Sequence, residues 1–214
     1  MTFQNRRDAG KRLASLLHEY AGVKNVLVLG LPRGGVPVAY EVAQALHAPL
    51  DVFVVRKLGV PGQEELAFGA IATGGVRILN SSVMEHARIT EEEVETVSRA
   101  ETKELERRER AFRGGRAAPQ IEGRTVILID DGLATGATMR AAIMALRQQH
   151  PARIVVGVPA ASPESCAEFQ DEVDDIVCAV TPDPFYSVGS WYDDFSQTTD
   201  EEVQDLMDRV SQTS

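Results

Sequence analysis

Two adjacent acids at the tip of an apolar run, followed by a loop of Gly, Ala and Thr, are the residues best suited to chemistry in this sequence. The segment is VILIDDGLATGAT, Val126–Thr138. Val126–Asp130 reads as a strand buried on both faces. In Ala134, Thr135, Gly136, Ala137 and Thr138, small side chains let backbone N–H groups converge on one point, and the helix that follows adds its positive end. The two threonine hydroxyls add donors without bulk. Together these make a phosphate cradle, and the absence of Lys at the Walker position separates it from a nucleoside-triphosphate loop. Asp130 and Asp131 would repel a bare anion. They fit a ligand that also presents hydroxyls, with each carboxylate accepting from a ribose 2- or 3-hydroxyl. Phosphate and cis-diol read by one loop describe a 5-phosphoribosyl group. The alternative is an acid pair holding Mg²⁺ at a strand end of another doubly wound protein; the Thr-Gly-Ala-Thr continuation argues against it.

Residues 126–138 resemble the motif by which type I phosphoribosyltransferases bind 5-phosphoribosyl-1-pyrophosphate (PRPP): apolar strand, two acids, two variable residues, then a small-residue Thr-Gly-small-Thr loop. The resemblance extends in order of elements over about residues 25–185 and looks closest to a bacterial group whose acceptor is unassigned. It implies displacement at C1 of PRPP by a base nitrogen, with pyrophosphate leaving and Mg²⁺ as cofactor. Asp130 and Asp131 are then the catalytic acids. Arg33, Gly34 and Gly35 of LPRGG stand where that family has its pyrophosphate loop, although Arg-Gly-Gly alone is compatible with a surface turn. Lys57, with Arg56 second, stands where adenine phosphoribosyltransferases have a pyrophosphate-contacting Lys; two solvent-facing cations are the alternative. In 6-oxopurine transferases an Asp lies four positions after the first motif acid. Here that position is Ala134, as in adenine and uracil transferases, so a hypoxanthine- or guanine-type mechanism is not implied.

The elements that must position these residues alternate. A helix is expected over residues 5–20, then an apolar strand Val26–Gly30, the LPRGG loop, a helix from Val36 to Leu46 and a strand Leu50–Val55. Gly, Pro and charge in residues 58–65 predict a mobile loop able to close over the site. LAFGAIA and VRILN read as a hairpin. Thr90 and Glu93 carry a capping-box signature that opens a charged helix to about Phe112. Strands follow at 126–130, 153–159 and 175–180, with helices at 137–149, 163–170 and 200–210. This alternation predicts an α/β fold, a doubly wound and mainly parallel sheet with helices on both faces. Ligands of such sheets bind beyond the carboxyl ends of the strands, where loops 31–35, 56–65 and 130–138 fall.

The chain is read as one domain over residues 1–214. Its core spans about 22–182, and a small hood is made by the tail 183–214 with the N-terminal helix. Phe185, Tyr186, Trp191, Tyr192 and Phe195 offer flat faces for a base, or else anchor the tail. Asp193 and Asp194 accept from a base amine or solvate the surface.

The 214 residues are 43% hydrophobic and 25% charged, ordinary for a globular chain. A net charge of −10 argues against nucleic-acid or anionic-membrane partners. No apolar run reaches membrane-span length and no signal segment is evident. Cys166 and Cys178 make no metal-type cluster, and a cytoplasmic homo-oligomer, a dimer, is expected. A non-catalytic PRPP-binding regulator, an adaptor docking through helix 90–112, and a PRPP pyrophosphohydrolase remain as alternatives.

Overall fold

Side-chain alternation along the central strands sorts the apolar residues onto two faces, and each face acquires its own helices. The structure is a computed structural model that describes residues 2–211. Strand β1 is Val26–Gly30 and β6 is Thr125–Ile129. Val26, Val28, Ile127 and Ile129 point into one cluster; Leu27, Leu29, Val126 and Leu128 point into the other. The first cluster is covered by α1 (Arg6–Leu16) and α2 (Gly35–Leu46), through Leu13, Val38, Val42 and Leu46. The second is covered by α5 (Ala137–Arg147) and α6 (Pro163–Gln170), through Met139, Ile143, Leu146 and Phe169.

The sheet has five parallel strands in the order β2-β1-β6-β7-β8, where β2 is Leu50–Val52, β7 is Arg153–Ala160 and β8 is Asp175–Val180. The predicted α/β fold with helices on both faces is what forms. A second sheet is antiparallel, β3 (Val55–Val60), β4 (Gln63–Ala72) and β5 (Val76–Leu79). No helix among the described residues is long and apolar enough to cross a membrane.

Several boundaries differ from expectation. Residues 58–65 are not a mobile loop. They are the end of β3, a tight turn at Pro61–Gly62 and the start of β4. Leu58 and Val60 are buried with Phe68 in the first cluster, and that alternation outweighs the local Gly and Pro. The strand expected over 50–55 is two pieces, because the chain leaves the parallel sheet at Phe53. Helix α3 (Ser81–Ala87), capped by the Asn80 side chain, falls where no helix was expected. Cys166 and Cys178 lie 6.7 Å apart at Cα and form a disulfide joining α6 to β8.

The charged helix is α4, Glu91–Arg113, opened by the Thr90–Glu93 capping box. It packs on β3, on β4 and on α7 (Asp200–Ser211) through Val94, Leu105 and Phe112. Its last residue, Arg113, is 3% exposed. The guanidinium donates to the Asp51 carboxylate at 2.7 Å, to Glu109 at 2.9 Å and to the Val52 carbonyl at 2.8 Å. One buried cation thereby ties the end of α4 to β2.

Candidate functional site

Strand pairing brings two of the loops together. Gly30 is paired with Ile129 on one side and with Val52 on the other. The Leu31 N–H also donates to the Ile129 carbonyl at 2.9 Å. Residues 31–35 and 130–138 therefore leave the same edge of the sheet side by side. The approach is close enough to require glycine. A Cβ at Gly34 would fall on the Asp131 carboxylate, and one at Gly35 would lie 2.7 Å from the Ile129 carbonyl oxygen. The peptide joining Pro32 to Arg33 is cis.

The two acids differ in environment. Asp131 N–H donates to Asp130 Oδ1 at 2.8 Å, which ties the pair together. Burial pushes the Asp130 carboxyl well above the usual carboxylate range, and the charge of Asp131 adds to the rise. The backbone bond from Asp131 and the Arg6 cation oppose it. Asp131 Oδ2 accepts from Arg6 Nε at 2.8 Å. Its carbonyl accepts from the Tyr192 hydroxyl at 2.6 Å, which holds the turn from the other side. Burial and the nearby Asp131 charge raise the Tyr192 phenol.

The raised Asp130 pKa carries a stability consequence. The ionised form is disfavoured in the folded chain, so at neutral pH it costs stability. That cost is relieved as pH falls through the raised folded value. Asp130→Asn should therefore raise stability by about 0.5–2 kcal/mol at pH 7 and change little in acid. Thermal unfolding at both pH values checks this; a lower midpoint for the variant at neutral pH would mean that the fold favours the carboxylate.

The small-residue loop is held from below. Gly136 has φ of 72° and precedes the first turn of α5, and a Cβ there would meet the Phe169 ring at 2.5 Å. Ser165 donates to the Ala134 carbonyl at 2.7 Å, Arg140 to the Thr135 carbonyl at 3.1 Å, and Leu133 N–H to the Ala160 carbonyl at 2.8 Å. Ala134, Thr135, Ala137 and Thr138 remain exposed at the N-terminus of α5, open to a ligand phosphate.

The remaining candidates divide. Arg33 follows β1 beside the acids, with its guanidinium 3.6 Å from Asp200. Arg56 and Lys57 sit on β3 and line a cavity of about 490 Å³ between the hairpin and α4, whose lining holds none of residues 130–138. Glu101 of α4 takes the Arg56 guanidinium at 2.6 Å, which gives that residue a structural partner. Phe185 and Trp191 pack against Phe3, Ala160 and Tyr192, as tail anchors. Tyr186 stands 84% exposed.

Three contributors carried no signal in the sequence. Arg6 is one of several cations on a helix that reads as ordinary amphipathic surface. Ser165 reaches the cradle from α6, and Arg140, on α5 itself, is held beside it by Glu168 and Glu172.

Comparison with known proteins follows this geometry. The model of the family described as "Phosphoribosyl transferase domain" matches residues 2–187. A Mycobacterium tuberculosis protein named "Putative phosphoribosyl transferase Rv0571c" is 48% identical over 208 residues, covering 97% of this chain and 47% of that protein. The chain thus spans about half the length of the curated relatives it matches. The crystal structure of TT1426 from Thermus thermophilus is 40% identical with a TM-score of 0.84, covering 97% of this chain and 98% of that one. A protein from Aquifex aeolicus, AQ2163, shares the fold at 12% identity and a TM-score of 0.51, covering 94% and 84% of the two chains.

Proposed function

The chain belongs to the phosphoribosyl transferase domain family, and from that premise we propose that it transfers the 5-phosphoribosyl group of PRPP to a nitrogenous base and releases pyrophosphate. The observation that carries the reading is the pairing of Gly30 with Ile129, which sets the Arg33–Gly35 turn against the Asp130–Thr138 loop. A cation and a tight glycine turn then lie beside a diol-reading acid pair and a phosphate cradle. In the reaction the C1–oxygen bond to pyrophosphate breaks, a bond from a base nitrogen to C1 forms, and the nitrogen loses its proton to solvent or to a carboxylate. Such a step needs positioning and charge stabilisation more than covalent chemistry from the protein.

Each part has a role. Asp130 and Asp131 accept from the ribose hydroxyls, and Ala134–Thr138 with the N-terminus of α5 bind the 5-phosphate. Arg33, Gly34 and Gly35 bind pyrophosphate; Lys57 is assigned to it on the family resemblance, from a hairpin cavity whose lining holds none of residues 130–138. The donor set at the acids is hard oxygen, the kind Mg²⁺ takes, and the ion would supply positive charge for the leaving pyrophosphate. No protein residue is assigned as its ligand. On a core of about 22–182, the tail from 183 to 199 is the hood at the base position, with Tyr192 on its inner side, while α1 and α7 pack on the core cluster. Cytoplasmic location and a homodimeric state belong to the same proposal; the Cys166–Cys178 disulfide counts against the location, since such bonds are rare in reducing compartments.

Turnover of PRPP with Mg²⁺ against a panel of purine and pyrimidine bases tests the reading, with pyrophosphate release as the signal. Release dependent on one base supports transfer. Binding without release would favour a PRPP-binding regulator, and release without a base would favour hydrolysis. The pyrophosphate assignment has its own test. Lys57→Ala should weaken PRPP and pyrophosphate about fivefold, the scale of an exposed ion pair, and leave ribose 5-phosphate unchanged. Equal loss of PRPP and ribose 5-phosphate would instead tie Lys57 to the fold or the 5-phosphate.

A further inference from the structure

We infer that Arg6, in the first turn of α1, is a positioning residue for the ribose site: it holds Asp131 by one carboxylate oxygen and leaves the other to a ligand hydroxyl. This inference rests on the PRPP reading of the acid pair.

The contact is more than a surface ion pair. Arg6 and Asp131 side chains are only 12% and 17% exposed. Nε of Arg6 donates to Asp131 Oδ2 at 2.8 Å, and a terminal nitrogen donates to the Ser196 carbonyl at 2.6 Å. The guanidinium lies 4.0 Å from the centre of the Phe195 ring. Two hydrogen bonds and a ring fix both its position and its plane, an arrangement a lysine ammonium cannot reproduce. Gly34 closes the opposite side: the point where its Cβ would stand lies on Asp131 Oδ2 and 3.1 Å from Arg6 Nε. Asp131 Oδ2 therefore sits in a slot between the pyrophosphate turn and α1. Among the described residues no hydrogen bond engages Oδ1.

Charge explains why a cation is placed there. The groups around Asp131 are Arg6 from α1, Asp130 beside it, and the Tyr192 hydroxyl on its carbonyl. Arg33 follows on the adjoining turn, with Asp200 opposite it, and Asp194 lies near Arg6. Asp130 is half-buried, and desolvation and the Asp131 charge both raise its carboxyl; the Arg6 cation opposes the rise. Without Arg6, the two carboxylates share a loop whose neighbouring cation, Arg33, faces Asp200. Asp130 then takes up a proton at higher pH, and one acceptor for the ribose diol is lost.

The test uses the intact chain with Arg6→Ala and Arg6→Lys. Calorimetry with PRPP and Mg²⁺ is run across acidic to neutral pH, with pyrophosphate as a second ligand. Arg6→Ala should weaken PRPP about tenfold near pH 7, the scale of one lost charged partner. Its acidic limb of binding should move to higher pH. Arg6→Lys should return that limb towards the wild-type position while recovering only part of the affinity. Pyrophosphate affinity should be the same in all three proteins. A loss of equal size at every pH, or a parallel loss of pyrophosphate binding, would reduce Arg6 to a structural tie and overturn the inference. Titration of the Asp130 carboxyl by ¹³C NMR without ligand separates the two claims. Failure of the wild-type protein to bind PRPP removes the ribose reading itself. An Asp130 titration unmoved by Arg6→Ala defeats the role of Arg6 even where PRPP binds.

Discussion

Replacing Arg113 with methionine is expected to cost the fold about 3–5 kcal/mol, the cost of breaking a buried pair by removing one partner. Asp51 is left with its carboxylate enclosed between β2 and α4 and without its 2.7 Å partner, and the Val52 carbonyl loses a donor. Burial already raises the Asp51 carboxyl, while Arg113 holds it down. In the variant the ionised form is disfavoured further. The deficit is therefore greatest above the folded pKa of Asp51 and shrinks as pH falls through it, because protonation removes the unpaired charge. Urea unfolding at neutral and acidic pH measures both features. Arg113→Met combined with Asp51→Leu should recover most of the loss, since an apolar pair of similar volume replaces the ionic one. A single-variant loss below about 1 kcal/mol would mean that water reaches Asp51 and that the pair behaves as a surface bridge.

The second large effect concerns binding. Asp131→Ala should weaken PRPP by about ten- to hundredfold, corresponding to about 1.5–3 kcal/mol for a lost bond to a charged acceptor. Ribose 5-phosphate should suffer a similar loss, because the diol is common to both ligands, and pyrophosphate alone should be spared. This pattern is the mirror image of that expected for Lys57→Ala, so the two variants together separate the ribose end of the site from the leaving-group end. Asp131→Ala also frees Arg6, a cation only 12% exposed. Asp131→Asn, which keeps an oxygen in the slot beside Gly34, should be the milder change. Calorimetry with unchanged PRPP affinity in Asp131→Ala would remove the ribose assignment.

The sheet and the acid loop were legible because their signals are local. Val26–Gly30 and Val126–Ile129 are uninterrupted apolar runs, and the loop after the second has a fixed residue type at each position. The capping box at Thr90 likewise declares itself within four residues. What sequence reasoning missed depends on partners far along the chain. The Pro61–Gly62 turn reads as the middle of a loop until Leu58, Val60 and Phe68 are seen to share the core with α4. Arg56 reads as a phosphate ligand until Glu101 is found beside it. Arg6 and Arg113 look like surface charge on amphipathic helices. Their meaning comes from Asp131 and Asp51, which lie 125 and 62 residues away in the chain.

The hydrogen bonds from Phe3 N–H to the Trp191 carbonyl and from Asp193 N–H to the Phe3 carbonyl have a consequence for how the protein is made. The strand pairing of the parallel sheet is complete once β8 has formed at Val180, while Val203 and Met207 of α7 join its first core cluster afterwards. The braces on Asp131 come from Arg6 and Tyr192, which are brought together only when residues 191–196 reach the segment 3–6. During synthesis the scaffold and the ligand site are therefore separate events, the second waiting on the last loop closure of greatest span. A released fragment ending near residue 185 holds every strand of the sheet but not the Tyr192 brace, so its acid loop should be the more protease-sensitive part. Recognition of the ligand then waits on the contact between residues 3–6 and 191–196 rather than on strand pairing.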